Sequence, residues 1–433
     1  MNATATQELA RRWSDEIAAV EFPPSPGWLD ALRNDAVGRF GESGLPHRKV
    51  EAWRYTPLKR LEAMDPGLPL AGQERAPGSL PDVLAQGPAT VVDIVDGQLQ
   101  NVSGNSGSGL VVLSLVEALE NHEERIRALA EKIDISGPSQ AFAALNTAYL
   151  HRGILIRVAE GVDAGTLVLR WSEGAGGRFS PCRVMFLLEA GSRLELLEQY
   201  LGGGAEPGVM NVMLQAQLGE GAELNHVRVQ DEHEEAILLT STSVELAADG
   251  RYGYHGFDLG GGLVRHELHA ELAGSGAFAD LAGACVLDGS RHADTRVSVD
   301  HAAPDCSSEQ LFRTVLGGRS RGVFNGRALI RKGADGSSVQ QSNANLLLSR
   351  LAEMDAKPEL EIYADEVVAS HGATVGQLDE TAVFYLRSRG LSDAEARRIL
   401  TAAFCHAVTS RLEDRDLAEK IGEMVDAAMP KAT

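Results

Sequence analysis

The sequence predicts a mainly β protein built on a parallel β-helix, with helical regions at both ends. From residue 151 to about 369, short segments such as ILIRV, LVLRW and ELNHVRV alternate apolar and polar residues, and glycine separates them. A subset of glycines recurs at multiples of about 14 residues, as in the stacked turns of a solenoid. These are Gly191, Gly221, Gly250, Gly276, Gly289 and Gly317. A sandwich or barrel would also have short strands, but Asn-Gly and Asp-Gly hairpin signals are few, so we favour the β-helix.

Length and pattern divide the 433 residues into three parts. Residues 1–150 form a mixed region, residues 151–372 the β-helix core, and residues 373–433 a helical region. In the first part, apolar periodicity and turn signals predict helices over 7–20, 26–40, 114–132 and 138–150, a hairpin over 90–100 that turns at Asp96-Gly97, and a strand over 110–113.

The last part contains three predicted helices. The first runs from about residue 378 and ends near Gly390. Ser392 and Glu395 match a capping box that opens the second, and the third runs from about 414 to 428, before Pro430. Short helices that leave a solenoid usually cap its open end, so we expect them there, where they would also suit the docking of a partner.

Composition excludes several classes of function. With 40 Lys and Arg against 61 Asp and Glu, the net charge is −21, which repels phosphate backbones and anionic lipid surfaces. No apolar leader or membrane-spanning run is present, so we expect a cytoplasmic protein without nucleic-acid or membrane partners. The four cysteines have no disulfide or CxxC spacing and are expected to be reduced.

Short catalytic motifs are absent or out of context. There is no Gly-Lys dipeptide and no GxGxxG, so neither common nucleotide-binding loop is encoded. Residues 318–322 match GxSxG, but the following VFNGRALI is strand-like, whereas a nucleophile elbow leads into a helix. Side chains alternate along a strand, so His266 and His269 diverge, and we expect His269 on a solvated face with Arg265 and Glu267.

We assign no metal-binding or catalytic role to the remaining histidines and aspartates. The histidines are dispersed without ligand spacing, and the aspartates are assigned to turns. The histidines are His226, His233, His255, His292 and His301, and the aspartates are Asp288, Asp294, Asp300 and Asp305.

Residues 311–332 form a basic segment without any acidic residue. Its cations are Arg313, Arg319, Arg321, Arg327, Arg331 and Lys332. We favour a solvated edge of the solenoid, and a docking surface for an acidic partner or anionic ligand is the alternative. The amides that follow, Gln340, Gln341, Asn343 and Asn345, are predicted to form hydrogen-bonded ladders between stacked strands.

Several tracts resemble one known family. They are CSSEQLFRTVLGGRSRGVFNGRALI at 306–330, NANLLLS at 343–349, KPELEIYADEV at 357–367, SHGATVGQLDE at 370–380, FYLRSRG at 384–390 and, upstream, EAWRYT at 51–56 and FAALNTAYLHRGI at 142–154. Together they resemble the SufD side of the SufB/SufD family of iron–sulfur cluster assembly proteins. The resemblance covers most of the chain and is strongest in the last third.

The resemblance implies a right-handed parallel β-helix with flanking helical regions. It also implies a scaffold without catalytic residues, which pairs with SufB through the β-helix and docks the ATPase SufC through the C-terminal helices. No cofactor would be bound stably by the isolated chain, and a transient iron or iron–sulfur cluster would form at the interface with SufB. A homodimer of the isolated chain is a further expectation.

One residue is the metal-ligand candidate that the resemblance carries over. The family commonly has Cys-Ser-His before Gly-Ala-Thr, and the matching residues here are Ala369, Ser370 and His371. His371 is therefore the candidate ligand, whereas Ala369 has no thiolate to offer. Cys285 and Cys405 are expected to pack as small apolar residues, and we find no reason to make Cys306 a ligand.

A carbohydrate-active enzyme is the alternative function that stays open. Parallel β-helices often expose carboxylates along a groove, so a carbohydrate-active enzyme shares the fold. Aromatic residues for stacking sugars make up only 5% of the chain, which disfavours this alternative.

Overall fold

The computed structural model describes residues 3–69, 80, 82–85, 87–104, 109–172, 177–202 and 207–430. It shows a parallel β-solenoid with helices at both ends of the chain, which confirms the predicted fold class. None of the described helices is long and apolar enough to cross a bilayer.

The N-terminal region contains helices and three strands that join the solenoid. The helices are α1 (Ala3–Ala18), α2 (Gly27–Ser43), α3 (Lys59–Met64), α4 (Leu115–Ala130) and α5 (Ala141–Ala148), and the strands are β1 (Ala89–Val95), β2 (Gln98–Ser103) and β3 (Leu110–Ser114). The predicted hairpin is confirmed: β1 and β2 pair antiparallel, and Asp96 and Gly97 have φ of 49° and 74°, as a tight hairpin turn requires.

Sixteen further strands, counted over the described residues, form the coils of the solenoid. They are β4 (Gly153–Val158), β5 (Asp163–Ser172), β6 (Phe179–Leu188), β7 (Arg193–Tyr200), β8 (Val209–Leu218), β9 (Glu223–Gln230), β10 (Ile237–Leu246), β11 (Arg251–Asp258), β12 (Leu263–Leu272), β13 (Phe278–Leu287), β14 (His292–His301), β15 (Ser307–Leu316), β16 (Arg321–Ile330), β17 (Ser338–Leu347), β18 (Glu353–Ile362) and β19 (Val368–Gly376).

Each coil contributes one strand to each of two sheets. The even-numbered strands from β4 to β18 form one sheet with β3, which we call sheet B, and the odd-numbered strands from β5 to β19 form the other with β1 and β2, which we call sheet A. Residues that stack in successive coils are about 30 apart, as Arg228 of β9 and its register partner Gly256 of β11 are. Gly191 and Gly221 have φ of 61°, so they supply left-handed turn residues one coil apart.

The main core lies between the inner faces of the two sheets. Alternate residues of each strand point inward, and the resulting cluster includes Val184, Leu214, Leu224, Leu281 and Val299, all almost fully buried. A second cluster joins the N-terminal helices to the outer face of sheet B through Trp13, Phe40 and Phe179.

The three C-terminal helices are α6 (Glu380–Ser388), α7 (Asp393–Thr409) and α8 (Arg415–Ala428). The predicted capping box is present, because Ser392 Oγ accepts from the Glu395 amide and the Glu395 side chain accepts from the Ser392 amide. The expected capping of the open end is wrong for α7 and α8, which pack against the outer face of sheet A at β13 and β15. That face is apolar, with Phe257, Ala284 and Val315, so it attracts the apolar stripe of the helices to the side of the solenoid.

Candidate functional site

The last coil of the solenoid forms an open end. Nearly all residues of β19 are exposed, and the two sheets end at β18 and β19, each with one edge that no other described strand covers. Val368 and Val375 on β19 are 74% and 49% exposed, and Tyr363, between the two strands, is 64% exposed. Such an apolar, unpaired strand edge is a template for pairing with another chain.

His371 lies in the middle of β19. It is exposed and pairs in register with Gln341 of β17, on the same strand face as Ala369. The described residues contain no group of three or more His, Cys, Asp or Glu side chains placed to hold a metal ion. His371 is exposed, and its imidazole is a chemically suitable ligand for iron.

The predicted amide ladder lies inside the last coils. Gln341, Asn343 and Asn345 are buried, the Gln341 Nε2 donates to Gln310 Oε1 at 2.8 Å, and Asn345 Nδ2 donates to Asn343 Oδ1 at 2.6 Å and to the Thr374 carbonyl at 2.8 Å. Gln340, by contrast, is exposed on the outer face. The interior at the open end is consequently polar.

The basic segment is largely neutralised by neighbouring strands. Arg321 pairs with Asp355 at 2.6 Å, Arg327 with Glu361 at 2.8 Å, and Arg331 with Asp300 at 2.5 Å. Arg313 is half-buried under α7, with its guanidinium 5.6 Å from the Phe404 ring centroid. These contacts favour the structural interpretation of the segment over a docking surface for anions.

The GxSxG segment is a turn between two strands. Ser320 lies between the end of β15 and the start of β16, is buried, and its Oγ donates to the Gly317 carbonyl at 2.7 Å. Its hydroxyl is therefore not presented as a nucleophile, and the strand–turn–strand context agrees with the sequence prediction.

Two aspartates assigned to turns lie instead in β14, so that assignment was wrong for them. Asp294 and Asp300 are buried, and each is paired with an arginine, Arg265 and Arg331 respectively. The placement of Arg265 on a solvated face was also wrong, because the ring of Trp53 covers it with its centroid 3.9 Å from the guanidinium carbon. Asp305, with φ of 59°, is a turn residue as expected.

Several histidines without ligand spacing belong to a buried polar cluster within the solenoid. His226 contacts Glu198 at 2.9 Å and Tyr252 at 3.2 Å, while His266 contacts Thr240 at 2.6 Å and stacks on Tyr254. Burial opposes ionisation of Glu198, but the contact with His226 and the charge of Arg228 hold the pKa of Glu198 below its usual value. Sequence reasoning missed this cluster, because its members are a coil apart in sequence and only the strand register brings them together.

All four cysteines are free and buried. Burial raises the pKa of the Cys182 and Cys405 thiols to about 12 and that of Cys285 well above its usual value. Cys285 and Cys405 therefore pack as small apolar groups, as predicted.

Comparison with known proteins defines the family. The model for the SUF system FeS cluster assembly SufBD core domain matches residues 171–404, and the model for the SufBD N-terminal region matches residues 6–168. The chain is 28% identical to iron–sulfur cluster assembly protein SufD of Escherichia coli, with 90% of each chain covered. It is 25% identical to protein ABCI7, chloroplastic, of Arabidopsis thaliana, covering 95% of this chain and 88% of that one.

A β-solenoid whose last coil is open, with exposed valines on the unpaired strand β19, offers a surface suited to pairing with another chain. The chain belongs to the SufBD family of the SUF system for iron–sulfur cluster assembly. Within that family its relatives include the SufD proteins of Escherichia coli and of Bacillus subtilis, the latter 23% identical over 93% of this chain. The resemblance seen in the sequence tracts is thereby confirmed.

Proposed function

We propose that this chain is a non-catalytic scaffold subunit of the Suf complex, which pairs with SufB through its last coil and docks the ATPase SufC through its C-terminal helices. A cluster would form transiently at the junction with SufB, with His371 as the ligand from this chain. The observation that carries the proposal is the exposed, uncharged edge of β19 in a protein of this family.

The two edge strands at the open end differ in how well they resist pairing. Strand β18 carries Pro358 and five charged residues, which are devices that protect an edge from unwanted partners. Strand β19 has neither proline nor any charged Asp, Glu, Lys or Arg, and its small residues leave the backbone accessible. We therefore assign strand pairing with SufB to β19.

A separate apolar surface lies on the helices that follow. Phe384 and Tyr385 of α6 are 70% and 56% exposed, and Ile399 of α7 is 40% exposed. Arg397 pairs with both Glu380 and Asp393 and so ties the two helices into one unit. Exposed aromatic residues on a rigid helical pair are suited to anchor a protein partner, and we propose SufC there.

The ligand role of His371 follows from its place in the interface. Imidazole is a suitable iron ligand and can act beside thiolates of another chain. Because β19 would be covered by SufB, a cluster bound at His371 would be shielded from water on that side.

Co-purification of the chain with SufB and SufC, analysed by native mass spectrometry, tests the pairing. The double variant Val368→Asp, Val375→Asp should release SufB, because it places two carboxylates in the paired edge. Val102→Asp, an exposed valine on β2 at the other end of sheet A, is the matched control and should leave the complex intact. Retention of SufB by the double variant would reject β19 as the interface.

Two further variants separate the other parts of the proposal. Phe384→Asp should release the copy of SufC held by this chain and retain SufB. His371→Ala should leave the complex assembled and lower its cluster content. Unchanged cluster content in a complex shown to be assembled would remove His371 from the site.

A further inference from the structure

A row of polar side chains inside the solenoid leads directly to His371. The strand register places Gln310 of β15 beside Gln341 of β17, and Gln341 beside His371 of β19. Neighbouring strands are about 4.8 Å apart, so each side chain of the row can reach the next. Gln310 and Gln341 are buried, whereas His371 occupies the exposed end of the row.

The amide of Gln341 is held in one orientation. Its Nε2 donates to Gln310 Oε1 at 2.8 Å, toward the interior of the solenoid. The same nitrogen lies over Gly326 of β16, where a Cβ atom would come within 2.2 Å of it. The hydrogen bond to Gln310 thus orients the nitrogen end of the amide, and the missing side chain at Gly326 leaves room for it.

The oxygen end of the same amide has no partner. Gln341 is only 4% exposed, and its Oε1 makes no hydrogen bond. A buried carbonyl-type acceptor without a donor is costly, so such a group in a folded protein calls for an explanation. His371 is paired in register with Gln341 on the side of β17 away from Gln310, so its side chain is the neighbour that could supply the missing donor.

We propose that Gln341 is a positioning residue for His371: its Oε1 accepts a hydrogen bond from one imidazole N–H and leaves the other nitrogen to bind iron. This inference rests on the proposed ligand role of His371. Metal-bound histidines generally donate their second ring N–H to a carbonyl or carboxylate, which fixes the tautomer and the ring orientation. Gln341 supplies such an acceptor from within the chain, while the solenoid keeps it dry.

The test compares two replacements of Gln341 in the assembled complex with SufB and SufC. Gln341→Met keeps the length of the side chain but removes the acceptor, and the rate of iron loss to a chelator should rise about tenfold, the lower end of the usual effect of such partners. Gln341→Glu keeps an acceptor oxygen, and Gln310, whose Nε2 has no partner, can turn its amide to donate to it. The Glu variant should therefore retain iron. Gln340→Met, on the outer face, is the matched control.

A spectroscopic signature separates positioning from general loss of structure. In the reduced, cluster-bearing complex, pulsed EPR should detect a histidine nitrogen that His371→Ala removes. The coupling of the remote ring nitrogen depends on its hydrogen bond and should change in Gln341→Met but not in Gln341→Glu. If Gln341→Met fails to assemble, Gly326→Ala serves instead, because it displaces the amide without removing it.

The two proposals fail in different ways. Absence of a histidine nitrogen signal, or its persistence in His371→Ala, would reject the ligand role itself. A signal that is lost in His371→Ala but is unchanged in Gln341→Met, with unchanged iron retention, would reject only the role of Gln341. Equal iron loss in the Met and Glu variants would also reject it, since the acceptor oxygen would then not matter.

Discussion

At the residue scale, a buried ion pair joins the N-terminal segment to the solenoid. Arg265 of β12 pairs with Asp294 of β14, lies under the ring of Trp53, and donates to the Ala52 carbonyl at 3.0 Å. Thr56 completes the contact, since its Oγ1 donates to Asp294 at 2.5 Å. The EAWRYT tract that carried the family resemblance is therefore a structural attachment in this protein.

Replacement of Arg265 should be costly. Arg265→Met would leave Asp294 buried without its main partner, and loss of one member of a buried pair typically lowers the free energy of unfolding by about 3–5 kcal/mol. The control Arg327→Met removes an arginine that pairs with Glu361 at the surface, where about 0–1 kcal/mol is typical. Urea unfolding followed by circular dichroism measures both. Similar small losses in the two variants would show that the Arg265 pair contributes no more than a surface pair.

At the element scale, the C-terminal helices depend on the side of the solenoid. Ile421 and Val425 of α8 and Val408 of α7 are fully buried against the outer face of sheet A. Their periodicity in the sequence predicted amphipathic helices but contained no information on which surface they would cover. The outer face of sheet A is apolar over several coils. Covering it buries more apolar surface than covering the last coil would, and is therefore more favourable in free energy.

Truncation of one of these contacts should loosen the helices selectively. Ile421→Ala should lower the stability of α7 and α8 by about 2–4 kcal/mol, the usual cost of removing a large buried aliphatic group. Hydrogen exchange followed by mass spectrometry should then show faster exchange over 393–428, with the early coils unchanged. Glu423→Ala, on the exposed face of α8, is the control. Uniform acceleration over the whole chain would mean that the helices unfold only with the solenoid.

At the scale of the whole molecule, buried histidines couple stability to pH. Burial lowers the pKa of His255, His292 and His301 to about 4, below the value of about 6.5 in an unfolded chain. Below pH 6.5 these histidines therefore bind protons in the unfolded chain that they do not bind in the folded chain. Stability should be retained above that pH and fall on acidification toward pH 4.

Removal of one buried histidine should reduce this pH dependence. Each contributes up to about 1.4 kcal/mol of lost stability per pH unit in that window. His301→Gln keeps a hydrogen-bonding partner for Ser308 but does not titrate, so its stability should fall less between about pH 6.5 and 5 than that of the natural chain. His233→Gln, at an exposed position, is the control for the substitution itself. Denaturant titrations at three pH values measure the slopes, and parallel curves for His301→Gln and the natural chain would contradict the argument.

The sequence by itself determined the fold class, the C-terminal helices and the family. Alternation, glycine turns and capping residues determine structure over a few neighbouring residues, and the family motifs are continuous stretches of sequence. Both kinds of signal can therefore be recognised without coordinates. The tertiary structure alone decided that α7 and α8 lie beside the solenoid, that Asp294 pairs with Arg265 inside it, and that Gln341 lies next to His371. Those relations join residues one coil or more apart, and their physical origin is the register of stacked parallel strands, which no local pattern specifies.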